Sequence, residues 1–419
     1  MKKFYINILF ICLIMACEPS TVSEVEVSDK PEVLKVKGES IGNPTASGSG
    51  MLNIANSSNT LYFSWIEEIP DGGHGLKYAT YANQRWYETN EIARGDNWFV
   101  NWADFPTMAV FEDGRMAAHY LQKSGEGTFH YDVVLKFYNP ETESWSEPEL
   151  LNTDGLQAEH GFVSLLPLDN GNLMAVWLDG RKTATANSDM ESHDHGHAGE
   201  MTLRAALFDA DFNRTEEWEL DGRICDCCQT SATQSGDKVF VVYRDRSDEE
   251  IRDISMVTFD GNVWTEPTKL HDDNWNIAGC PVNGPSITSN GENILAAWFT
   301  MADGSPKIQY KLSADGGENF GSAIQLNGNP GPGRVQVVSL DNRDSFVAIW
   351  LENVDNVVQV LAAEIDNRGE VIEKFIVGES SESRASGFPR VGYNGEGLLF
   401  AWVGSEGESA VTTKFVELD

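Results

Sequence analysis

The sequence predicts an all-β protein, a β-propeller of four-stranded blades, with seven blades favoured over six plus an irregular hairpin. Two observations carry this. A short apolar run ending in an aromatic recurs at Trp65, Tyr120, Trp177, Tyr243, Trp298, Trp350 and Trp402, with successive spacings of 55, 57, 66, 55, 52 and 52. Each run also follows a short strand and an Asn/Asp/Gly-rich turn, then gives way to an alternating third strand such as YDVVLKFY or KIQYKL. A fourth strand commonly follows a Trp or Phe, as in WSEPELL, WTEPTKL and FGSAIQL. Period-2 alternation, regular turns and no helical period define repeated antiparallel sheets. Radial repetition of such sheets is a propeller.

Taken in order, the chain opens with Lys2 and Lys3 and then an apolar run from Phe4 to Met15. That run is too short to span a bilayer and fits a signal peptide. Ile14-Met15-Ala16-Cys17 resembles a bacterial lipobox. The resemblance implies a signal peptide over 1–16 and a lipidated Cys17. An acidic tether over 17–30 would follow, ahead of a propeller over 31–419. The expected location is the bacterial cell envelope, either periplasmic or surface-exposed at the outer membrane. Contact with the membrane would come only through the lipid anchor. The last unit ends in three strands, VTTKFVELD being the third, so the segment 31–41 (PEVLKVKGESI) is expected to supply its fourth. That closure removes an open sheet edge.

Composition narrows the partners. The 419-residue chain has 65 acidic and 30 basic residues, a formal net charge of −35. Such a surface repels the phosphate backbone and excludes nucleic acid as a partner. The same acidity favours solubility but names no substrate.

The 66-residue interval holds an insertion, 181–199, that carries His193, His195 and His197. Read alone it is a solvated loop; beside thiols it becomes a ligand arm. Four cysteines remain after the signal segment and the lipidated residue: Cys225, Cys227, Cys228 and Cys280. In an envelope compartment two disulfides are the bland reading. The alternative is a metal, Cu or Zn, because soft sulfur with imidazole suits those ions.

The repeat assigns positions to one face. Sixteen residues before the aromatic anchors lie Ser49, Asp104, Gly161, Cys227, Val282, Arg334 and Ser386, with His160 one step away. Two residues after the anchors lie Glu67, Gln122, Asp179, Asp245, Thr300, Glu352 and Gly404. Loops into the innermost strand and out of the second share one mouth. Asp104 and His160 are candidate general acid or base groups. Arg244, Arg246, Arg334 and Arg390, with Asp245, are candidate ligand-binding residues, since arginine is the natural fork for an anion. The competing reading pairs the arginines of YRDRSDEEIRD with their own acidic neighbours.

Ser313, Asp315, Gly317 and Phe320 fit the Asp-box S-x-D-x-G-x-x-W/F between the third and fourth strands of a unit. On this motif and its register the chain resembles the sialidase-like (BNR/Asp-box) propellers. Its CDCC and YRDRSDEEIRD segments look like those of sialidase-like bacterial lipoproteins. The resemblance implies a propeller that acts on or binds a glycan or other anionic small ligand, an exo-α-sialidase-type hydrolase if an enzyme, with an envelope protein as a further expected partner. That family carries an early Phe-Arg-Ile-Pro motif, an arginine triad, a Tyr–Glu nucleophile pair and an Asp acid/base. No Phe-Arg-Ile-Pro is present; Phe388-Pro389-Arg390-Val391 has similar letters in another order. The mouth positions counted above contain no Tyr. The rival class is a non-catalytic metal-binding or protein-interaction propeller.

Overall fold

In the computed structural model, residues 1, 34–70, 72–184, 199–404 and 411–418 are described. The signal segment, Cys17 and His193, His195 and His197 lie outside them. The described chain from Lys35 onward forms seven antiparallel blades in a ring.

Blade 1 is built on Gly50–Ser57, Thr60–Glu68 and His74–Ala82, and blade 2 on Met108–Val110, Met116–Lys123 and Tyr131–Asn139. Blade 3 is built on His160–Pro167, Leu173–Asp179 and Thr202–Phe208. Blade 4 is built on Ser231–Ser235, Lys238–Arg244 and Ile254–Phe259. Blade 5 runs through Ser286–Asn290, Asn293–Thr300 and Lys307–Ser313. Blade 6 runs through Gly333–Leu340, Ser345–Val354 and Val357–Asp366. Blade 7 runs through Arg390–Tyr393, Gly397–Val403 and Val411–Glu417. Outer strands are short where proline interrupts them. In blade 2, Ser144–Trp145 and Glu149–Leu150 flank Pro148, which has no N–H to give the ladder.

The expected N-terminal closure divides into two parts. Glu39–Ile41 pairs antiparallel with Val411–Glu417 and completes blade 7. Lys35–Val36 adds a parallel fifth strand to the outer edge of blade 6. Gly38 sits between them with φ +90, which lets the chain turn from one blade to the next.

The anchors explain themselves once folded. All seven are buried, and apolar clusters fill the wedges between adjacent sheets. A buried indole N–H needs an acceptor. Trp65 donates to Glu67 (3.0 Å), Trp177 to Asp179 (2.9 Å) and Trp350 to Glu352 (2.8 Å). The acidic ring two residues past the anchors is therefore, in these blades, the indole's own partner rather than a set of free ligands. The Asp-box is the expected turn. Asp315 takes Asn319 N–H at 2.9 Å, Ser313 Oγ takes Gly317 N–H at 3.0 Å, and Gly317 has φ +82 with its Cα against Phe240. Asp209 and Asp366 make the same aspartate-held turn in blades 3 and 6, although their sequences lack the motif. The innermost strands line a channel of about 350 Å³.

Candidate metal centre

The CDCC segment lies between the outer strand of blade 3 and the innermost strand of blade 4. Cys225 N–H is tied to the Arg244 carbonyl at 3.0 Å, and a turn at Asp226–Cys227 curls the chain back. That curl brings three sulfurs together. Cys225 Sγ stands 3.7 Å from Cys227 Sγ and 3.6 Å from Cys228 Sγ, and all three lie within 4.8 Å of one another. These are free thiols, not disulfides, whose sulfurs would be about 2 Å apart. A tetrahedral ion with metal–sulfur bonds of about 2.3 Å sets its sulfurs roughly 3.8 Å apart. The two printed sulfur separations are close to that value.

Cys280 reaches the same place from the loop that leads into blade 5. Asn276 pairs with Ile251, and the Ile277 N–H bonds to the Glu250 carbonyl, so blade 4 holds this loop. Cys280 Sγ lies 4.0 Å from Asp226 Oδ1, and Asp226, Cys227 and Cys280 form a second group of ligand atoms within 4.8 Å. Cys225 and Cys228 form the buried floor, Cys227 is half-buried and Cys280 is exposed.

Charge is arranged around the thiols. Arg252, itself buried, donates to Cys225 Sγ at 3.2 Å and lies 3.5 Å from Asp226. Burial alone would push the Cys225 thiol up. Hydrogen bonds from Cys227 and Cys228 and the Arg252 guanidinium reverse this and hold it well below the usual thiol range. Cys280 is also lowered, first by Cys227. Cys227 is raised by its bonds to Cys225, Cys228 and Cys280, and Cys228 by burial and then Cys225.

The arginines are spent on structure. Arg244 gives every contact to backbone carbonyls: Asn283 at 3.1 and 2.8 Å, Arg252 at 2.6 Å and Phe299 at 2.7 Å, with Trp275 beneath it. Arg334 caps the Glu382, Ser383 and Gly387 carbonyls and stacks on Trp102. Arg246 grips Glu250 through both Nε and Nη2, and Asp245 accepts from Arg246 N–H and Ser255. An anion at the mouth would therefore have to compete with these internal bonds of Arg244, Arg246 and Arg334. Arg390 differs. Its Nε donates to the Leu52 carbonyl and its plane lies 3.8 Å from Phe105, but Nη2 is buried without a partner at the channel.

His160 is fully buried with both ring nitrogens engaged, Nδ1 with the Tyr131 carbonyl (3.0 Å) and Nε2 with Asp154 (2.9 Å). Burial would lower its pKa, but Asp154 and Asp179 outweigh burial and raise it. As an acid or base it would act only by giving up one of these two bonds. Asp104 accepts Phe162 N–H at 2.7 Å, and burial raises its pKa to about 7. Gly161 allows this approach, since a Cβ there would meet Asp104 Oδ2 at 1.9 Å.

One group escaped the count of mouth positions. Tyr131 OH donates to Glu159 Oε1 at 2.9 Å and lies 3.2 Å from Asp104 Oδ2. Burial first, then Asp226, Asp104 and Cys280, hold Glu159 well above the usual carboxylate range. Glu159 therefore links the Asp104–Tyr131 pair to the thiol cluster. It sits one residue before His160, a step outside the counted ring. Tyr131 opens a third strand, which the ring did not include.

No family model matches the sequence, and no curated protein matches it. Among solved structures, a protein of unknown function from Dyadobacter fermentans is similar, with 11% identity, TM-score 0.52, and coverage of 75% of this chain and 94% of that one. The NanB sialidase of Streptococcus pneumoniae gives 8% identity, TM-score 0.47, and 86% and 83% coverage. The β-propeller domain of the Trilobed protease from Pyrococcus furiosus gives 11%, 0.47, and 87% and 95%. At 11% identity, the likeness to the Dyadobacter fermentans protein concerns the fold alone.

Proposed function

We propose that this protein is a metal-handling propeller whose mouth holds a thiophilic d¹⁰ cation, Zn(II) or Cu(I), through Cys225, Cys227 and Cys228. The convergence of three unpaired sulfurs at 3.6–3.7 Å carries the reading. The N-terminal segment adds weight. If Cys17 anchors the chain in the envelope, the thiols face an oxidising compartment, where bare neighbouring cysteines would be oxidised and metal-bound ones are protected. Metal binding displaces thiol protons, so affinity rises with pH. The test is metal content of protein purified reduced and without a His tag. About one or more zinc or copper ions per chain, lost in Cys225→Ser/Cys228→Ser, supports the site. Metal-free protein that takes up neither ion refutes it.

One observation favours a second reading. Tyr131, Glu159 and Asp104 match in type the Tyr–Glu pair and acidic partner of the sialidase-like family, and Asp104 lines the same channel as Arg390, whose Nη2 is unpaired. A glycan hydrolase built on them would release sialic acid from a fluorogenic α-sialoside and lose that activity in Tyr131→Phe. Absence of turnover by the unaltered protein rejects this reading and leaves the metal site standing.

A further inference from the structure

Two ligand groups, not one, meet at this mouth, and they share an atom. The first is Cys225, Cys227 and Cys228; the second is Asp226, Cys227 and Cys280. We propose, on the reading that the mouth binds metal at all, that it holds a pair of zinc-like divalent cations bridged by the Cys227 sulfur.

Two observations converge. The Cys227 sulfur belongs to both groups, and a thiolate has lone pairs enough to bind two soft cations at once. The donors also differ as two positions would. The inner set is all sulfur and rests on buried Cys225 and Cys228. The outer set mixes sulfur with the Asp226 carboxylate and ends on exposed Cys280. Zinc accepts both donor sets. The inner ion is therefore retained, while the outer ion, facing solvent, exchanges.

The experiment loads the reduced full chain with zinc, removes excess and counts zinc per chain. A coloured chelator then follows its release. Two zinc ions per chain are expected, with one leaving at least tenfold faster than the other. Cys280→Ser, altered at an exposed loop position, should keep one ion and lose the fast phase. Cys227→Ser should lose both. One zinc per chain in the unaltered protein, or two retained in Cys280→Ser, overturns the bridged pair while leaving a single thiolate site intact. Loss of only one ion in Cys227→Ser overturns the bridge as well. No zinc bound overturns the pair together with the site itself.

Discussion

The Arg252 guanidinium donates to the Cys225 sulfur at 3.2 Å, so the most buried thiol of the cluster sits against the nearest fixed positive charge. A thiolate stabilised this way is ready for a metal before any metal arrives. Replacing the cation with a neutral chain of similar length removes that support. In Arg252→Met the midpoint of the first thiolate absorbance rise in metal-free protein should move to higher pH. An unchanged midpoint would show that the neighbouring thiols alone depress Cys225.

Arg244 is a structural bolt. Its guanidinium satisfies three buried carbonyl groups on blades 4 and 5. Arg244→Lys keeps the charge but loses the fork. The carbonyls left bare and the poorly solvated ammonium should cost about 3–5 kcal/mol, read as a lower urea midpoint. A variant as stable as the parent would return Arg244 to the list of ligand-binding residues.

His119 gives a pH signature. It is fully buried, Nδ1 accepts Thr107 N–H at 3.2 Å, Nε2 has no partner, and burial lowers its pKa to about 3. The unfolded chain protonates this ring below about pH 6.5 while the native state does not. Its contribution is therefore intact above pH 6.5 and is lost as pH falls toward 3, with a slope of about 1.4 kcal/mol per pH unit. His119→Gln retains an acceptor for Thr107 and should flatten stability against pH in that window. Identical acid slopes for both proteins would contradict the assignment.

Closure depends on a three-residue strand. Two truncations, lacking residues 1–33 and 1–42, are compared for urea stability. Removing 1–42 also takes away Glu39–Ile41 and the bond from Thr413 Oγ1 to the Ile41 carbonyl (3.0 Å). The third strand of blade 7 then becomes an open edge. The expected result is a loss of a few kcal/mol together with concentration-dependent association in size-exclusion chromatography. Equal stability of the two truncations would show that closure contributes nothing.

Much of the fold was legible because its signals are local. The Trp-x-acid pairs at Trp65, Trp177 and Trp350 are two residues apart, so one short word encodes both the buried indole and its acceptor. The turn at Ser313–Phe320 satisfies its own backbone within eight residues. The same turn at Asp209 and Asp366 was not legible as a motif, because a single aspartate and the right backbone suffice there.

By itself, then, the sequence determined the blade repeat, the closing strand's location and the gathering of thiols at one mouth. Tertiary structure alone decided who meets whom across blades. Arg334 has no acidic neighbour in sequence and reads as free, yet its partners wait about fifty residues on, at Glu382–Gly387. Tyr131 meets Glu159 only because blades 2 and 3 are wedged side by side. Cys280 reaches Asp226 and Cys227 only because blade 4 grips the intervening loop. Pairings of this kind depend on the radial packing of sheets, which no spacing within one repeat records.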